Sequence, residues 1–169
     1  MLDSTFAANH LQNLGKGGAI KNTGAQVNLR NVTLAENDGG VFNFGSDEVM
    51  TTTNSVYWNA GFLNCEGDGT LPQSQGGNYS SDSSCGFNNI GDEKNVGHDP
   101  LGPRTIEAEN EIYGIVYYLP AAGSSLINTA RPVCSPRDQR GAIRPDACDK
   151  GAVEFGGLLP RIFAPLLRK

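Results

Sequence analysis

The chain has 169 residues, 22 of them glycine, with 13 lysines and arginines against 18 aspartates and glutamates and a net charge of −5. That length makes one domain, and an acidic surface without a basic stripe argues against nucleic acid as a partner. The longest apolar runs fall far short of the roughly 20 residues that span a bilayer, so no transmembrane span is expected.

Three stretches are copies of one phrase: Asp3-Ser-Thr-Phe-Ala-Ala-Asn9, Asn31-Val-Thr-Leu-Ala-Glu-Asn37 and Thr53-Asn-Ser-Val-Tyr-Trp-Asn59. Each places an apolar residue (Phe6, Leu34, Val56) three positions before an asparagine (Asn9, Asn37, Asn59). The asparagines stand 28 (37 − 9) and 22 (59 − 37) residues apart, a period in the range of solenoids. A second echo lies out of phase with the first: Gly17-Gly-Ala-Ile-Lys-Asn22 returns as Gly39-Gly-Val-Phe-Asn43, again 22 residues on. Each unit therefore holds two short strands and two corners. Val27, Leu29, Val32 and Leu34 alternate with polar neighbours, and the change of phase between Leu29 and Val32 predicts a bend. Helix is excluded here by many poor helix formers and no sustained apolar stripe.

These features predict an all-β parallel β-helix of a few coils over residues 1–60. Coils stack at about 4.8 Å, with Phe6, Leu34 and Val56 in one inward column. Asparagine suits the corners, because its amide bonds backbone and the next coil and it tolerates the left-handed conformation. The competing account makes the three phrases coincidental strand ends of a β-sandwich. Met1 runs straight into a repeat with no leader pattern before it. The expectation is the C-terminal part of a longer surface protein, its exposed N-terminal coil edge open to association.

Phe6-Ala-Ala-Asn9 and Gly17-Gly-Ala-Ile20 resemble the paired F-x-x-N and G-G-A-I repeats of polymorphic outer-membrane proteins and related bacterial surface proteins. The resemblance implies a right-handed parallel β-helix, a pectate-lyase-like solenoid.

After Asn59 the repeat dissolves into Asn-, Ser-, Gly- and Asp-rich sequence, read as irregular coil packed on the solenoid. The four cysteines fall in two local pairs, Cys65 with Cys85 and Cys134 with Cys148, far from His10 and His98 and in no C-x-x-C, which argues against zinc. Two disulfides in an oxidising compartment are expected, with other pairings and buried free thiols left open. Strand content returns at Ile112-Tyr-Gly-Ile-Val-Tyr-Tyr-Leu119. Asp138, Arg140, Arg144, Asp146, Asp149 and Glu154 alternate in sign and are read as a salt-bridge network closing the solenoid end.

Five ordered blocks resemble the choice-of-anchor Q domain that ends many bacterial β-helix surface proteins. They are Gly77-Asn78 with Ser81–Gly86, Asp99–Pro103, Leu119–Asn128, Cys134 with Asp138–Pro145, and Cys148–Glu154. The resemblance marks 61–155 as irregular coils and a disulfide-stapled cap. Two departures stand out: no Asn-Gly-Gly segment lies between Pro103 and Leu119, and Lys150 replaces an apolar residue before Gly151. Residues 156–169 form an apolar and basic tail, readable as an anchoring signal or as a docked strand.

For function, a polysaccharide lyase or glycoside hydrolase needs acids gathered in a cleft. The candidates Asp82, Asp92, Glu93, Asp99 and Asp138 with Arg140 recur on no stacked coils, so no catalytic residue, metal or cofactor is assigned. The expected role is a non-catalytic structural or adhesive segment of an extracellular or cell-surface bacterial protein, contacting carbohydrate or a surface protein. Contact would come from Thr51-Thr-Thr53 and from one of Tyr57 and Trp58, since neighbours on a strand face opposite ways. A rank of Thr5, Thr33 and Thr53 raises a weaker third possibility, ice binding.

Overall fold

The computed structural model describes residues 1–12, 15–45, 49–110, 113–131 and 133–159, with the backbone only for 108–110 and 113–114. Its regular elements are all strands: β1 (Leu2–Ala7), β2 (Ile20–Asn22), β3 (Val27–Ala35), β4 (Val41–Asn43), β5 (Met50–Thr53), β6 (Val56–Trp58), β7 (Cys65–Gly67), β8 (Gln73–Ser74), β9 (Tyr79–Ser80), β10 (Leu101–Asn110) and β11 (Tyr113–Pro120). Six of them form a parallel sheet in the order β8-β5-β3-β6-β9 with β1 beside β3, and β2-β4-β7 form a second parallel sheet. The chain alternates between the two sheets. One parallel sheet curls into a half-barrel.

The bend expected between Leu29 and Val32 falls at Asn31, whose φ is 50°. Before it β3 pairs with β5, and after it with β6. Register puts Asp3 beside Asn31, then Asn54, then Gly77, and all four have positive φ (43°, 50°, 51° and 71°). The rungs thus turn the same corner at the same place. Aspartate and asparagine visit this region at low cost, and glycine at none.

Side chains on one side of the bend pack inward. Leu29, Leu34, Met50 and Tyr57 from the larger sheet meet Ile20, Val41 and Cys65 from the smaller one, with Phe87 closing the cluster. The Phe87 ring meets Tyr57 edge-on at 5.2 Å. Full burial of each such side chain stabilises by about 1.5–3 kcal/mol, and this cluster holds the two sheets together.

The inward column differs from the expectation at its third member. Phe6 pairs with Leu34, and Leu34 pairs with Tyr57, whereas Val56 pairs with Thr33 and faces the other way. Aligning the phrases on their asparagines hid a one-residue difference. Ala8 and Glu36 both bulge with positive φ (53° and 59°) before the corner, and Trp58 runs directly into Asn59 with no such residue.

Parallel pairing also continues past residue 60, through β7, β8 and β9 to a bridge between Tyr79 and Glu93. The repeat is therefore longer than its visible phrases. The expected strand near residues 112–119 is β11, antiparallel to β10; residues 111 and 112 lie outside the described residues. This hairpin covers the outer face, where Leu101 and Tyr118 bury Ala35, Val56, Tyr79 and Leu126.

Residues 133–155 differ in place from an end cap. They run along the side of the sheet and touch successive rungs: Ser135 and Arg144 bond Asp3, Asn31 reaches Asp149 O at 3.3 Å, and Gly151 N bonds Asn54 O at 2.7 Å. Lys150 reaches Gly91 O and Glu93 at the far end. The left-handed corner explains this, because it points the Asp3, Asn31 and Asn54 side chains outward as a row of polar handles. Of the tail, residues 160–169 lie outside the described residues.

Candidate functional site

The corner asparagines form a continuous chain of amides. Asn9 donates through its backbone N (3.1 Å) and Nδ2 (2.7 Å) to Asn37 Oδ1, and Asn37 repeats both bonds to Asn59 Oδ1 at 3.0 and 2.9 Å. Asn59 repeats them again to Asn64 Oδ1 at 3.2 and 3.0 Å, and Asn64 ends the chain on Ser80 and Ser81. Asn64 escaped sequence reading because it stands five residues after Asn59 rather than a full period. A second ladder joins Asn22 Nδ2 to Asn43 Oδ1 at 2.8 Å, at the ends of β2 and β4. Buried amides that satisfy one another avoid the desolvation cost of an orphan and fix the register.

The cysteines are bonded as Cys65–Cys85 and Cys134–Cys148. Two disulfides point to an oxidising compartment. The second bond holds the lateral clasp, and Asn31 and Asn54 lie within 3.5 and 3.9 Å of Cys134 Sγ.

The charged residues of the clasp divide into two centres. Asp138, fully buried, receives Arg140 through Nε (3.1 Å) and Nη2 (2.9 Å) and three backbone N–H groups, from Arg140, Ala142 and Glu154. Arg140 also lies 5.3 Å over the Tyr117 ring. Arg144 donates to Glu154 at 3.0 Å and to Asp3 at 3.2 Å, from a site with 1% side-chain exposure. Asp3 is thus a member that sequence reading missed, since it lies 141 residues away. Asp149 accepts backbone N–H groups from Asn128 and Phe155. Asp146 departs from the expected network: it is exposed and makes no ion pair among the described residues. Burial raises the Asp3, Asp149 and Glu154 carboxyls above their ordinary values, against the opposing pull of Arg144.

Other candidate acids are engaged in local structure. Asp82 accepts from Asn64 N, Ser84 N and Ser84 Oγ, and Asp92 from Ser74 Oγ, Asn78 N and Asn89 N. Glu93 binds Lys150 and Ser125, and Asp99 accepts from Leu101 N. Among the described residues, no group of three or more His, Cys, Asp or Glu side chains is placed to hold a metal ion. No helix among the described residues is long and apolar enough to cross a membrane.

The expected contact residues separate. Tyr57 is fully buried and donates to Thr52 Oγ1 at 2.8 Å, with burial pushing its phenol well up. It belongs to the core and is withdrawn from any contact surface. Trp58 points the other way and packs against the cluster under the hairpin. The threonine rank does not form either: Thr5 and Thr33 are register neighbours, but Thr33 is buried and accepts Ala152 N at 3.0 Å, while Thr53 pairs with Arg30.

What the larger sheet does expose is a groove of about 550 Å³ lined by Asn28, Arg30, Thr51, Gln75, Val133 and, at its buried floor, Thr53. Alternation explains its composition. Leu29, Met50 and Thr52 turn inward, so Asn28 and Arg30 on β3 and Thr51 and Thr53 on β5 must turn out.

No protein-family model matches this chain, and neither a curated protein nor a solved structure matches it.

Proposed function

We propose that the chain is a stretch of right-handed parallel β-helix from a secreted or cell-surface bacterial protein, of the kind that ends in a choice-of-anchor Q domain. Its work is structural and adhesive: it holds a rigid polar face toward carbohydrate or protein and performs no catalysis. The observation that supports this most is the amide chain from Asn9 to Asn64, which repeats one pair of bonds from Asn9 to Asn37 to Asn59 on successive rungs and once more to Asn64 within the last of them. Such a ladder stiffens a stack and leaves its outer faces free for display.

The engagement of Asp82, Asp92, Glu93, Asp99 and Asp138 in backbone and side-chain bonds favours the scaffold over a lyase or hydrolase, whose acids must face substrate. The test is incubation of the protein with a panel of plant and bacterial polysaccharides, with products resolved by mass spectrometry. Retention of polysaccharide without shortening is the expected result. Lytic or hydrolytic products would overturn the scaffold reading.

A further inference from the structure

We propose that the groove on β3 and β5, flanked by Gln75, binds an acidic glycan, a polysaccharide chain carrying carboxylates, with Arg30 as its anion contact. This rests on the display reading above and names the class of ligand.

Two files of side chains cross the groove in register. One is Asn28 beside Thr51; the other is Arg30 beside Thr53, followed by Gln75, with Thr53 buried at its centre and Asn28, Arg30 and Gln75 open to solvent. Successive members sit one strand apart, about 4.8 Å, close to the length of one sugar unit in an extended glycan. Strand backbone fixes both files, so little order is lost on binding.

Charge selects the ligand. Arg30 is exposed and makes no ion pair or side-chain hydrogen bond among the described residues, in a chain whose net charge is −5. Its neighbours in the groove are neutral amides and hydroxyls, with Val133 the one apolar side chain. A guanidinium fork matches a carboxylate. The amides and hydroxyls, each able to donate and accept, match the hydroxyls of a sugar. A nucleic acid calls for many cations, and a helical peptide laid in a groove calls for a row of apolar anchors. One arginine among neutral polar groups fits neither.

The experiment titrates the protein with an oligogalacturonate and with the same oligosaccharide after full methyl esterification, by calorimetry at two salt concentrations. The acid form should bind roughly tenfold tighter than the ester, and added salt should narrow that difference. Arg30→Gln should weaken the acid form roughly tenfold and leave the ester unchanged. Arg30→Lys should fall between. Because the Arg30 side chain makes no ion pair or hydrogen bond among the described residues, both variants should melt with the wild type. Arg104→Gln, on the hairpin, should leave acid binding as it was. Equal affinity for acid and ester, acid binding indifferent to Arg30→Gln, or no binding of either would each overturn the inference. None of these bears on the absence of catalysis, which fails only if either oligosaccharide is shortened.

Discussion

Substituting Asn37 by alanine removes four bonds at once from the middle of the amide chain. The side chain accepts from Asn9 N at 3.1 Å and Asn9 Nδ2 at 2.7 Å, and donates to Phe6 O at 3.0 Å and Asn59 Oδ1 at 2.9 Å. Two of these losses are mild. The exposed Asn9 amide turns to water, and Asn59 Oδ1 keeps the Asn37 backbone N–H as donor. The other two strip a partner from Asn9 N and Phe6 O, both only part-buried, at about 1 kcal/mol each. We expect a loss of about 2 kcal/mol, which for a domain of this size lowers the melting temperature by roughly 4–8 °C. Urea and thermal unfolding followed by far-ultraviolet circular dichroism measure it. Asn9→Ala, at the exposed end of the ladder, should cost about 1 kcal/mol or less. If Asn37→Ala is no more damaging than Asn9→Ala, the ladder carries no cooperative load and the reasoning fails. Asn37→Asp sharpens the comparison, because at neutral pH it sets a carboxylate against Asn59 Oδ1, and protonation in acid restores a donor.

Arg144→Met should destabilise by about 3–5 kcal/mol, because Glu154 and Asp3 are left in the clasp without their counter-charge; adding Asp3→Asn and Glu154→Gln should recover part of that loss in urea unfolding, and no recovery would refute the pairing. Replacing Cys134 and Cys148 by serine should cost about 3 kcal/mol for so short a loop. Cys134 is half-buried while Cys65 and Cys85 are buried, so alkylation mapping under mild reductant should find the Cys134–Cys148 bond opened first. The pH dependence has a definite sign. The carboxyls of Asp3, Asp149 and Glu154 have folded-state values raised above 3.8, 3.8 and 4.5, so in the window just above those figures the folded chain holds more protons than the unfolded one. Their contribution to stability therefore falls as pH rises through that window. The difference in urea midpoint between wild type and Glu154→Gln, followed from pH 4 upward, should show the fall, and a rise would contradict it.

Much of the fold was legible in local pattern. A repeated asparagine before a change of direction marks a corner, and the alternation around Leu29 and Val32 located the bend now seen at Asn31. The inward column was misread at Val56 because the bulge at Glu36 has no counterpart before Asn59, and a period-2 strand shifted by one residue exchanges its two faces. Asn64 was hidden by its irregular spacing. The groove left a trace in Asn28, Arg30 and Thr51, yet their grouping needed the register of two strands.

What the sequence by itself determined is the all-β character, the asparagine corners and the candidate cysteine pairs. Each depends on residues close along the chain or on a recurring phrase. What only the tertiary structure decided is where the last third of the chain goes. Asp3 meets Arg144 across 141 positions, and Asn54 meets the backbone of Arg131 and Gly151. A left-handed corner repeated on stacked rungs aims polar side chains outward in a row, and buried amides and carboxylates there need partners. Arg131 and the disulfide-held segment 133–155 supply them from the side, a placement that no local pattern encodes.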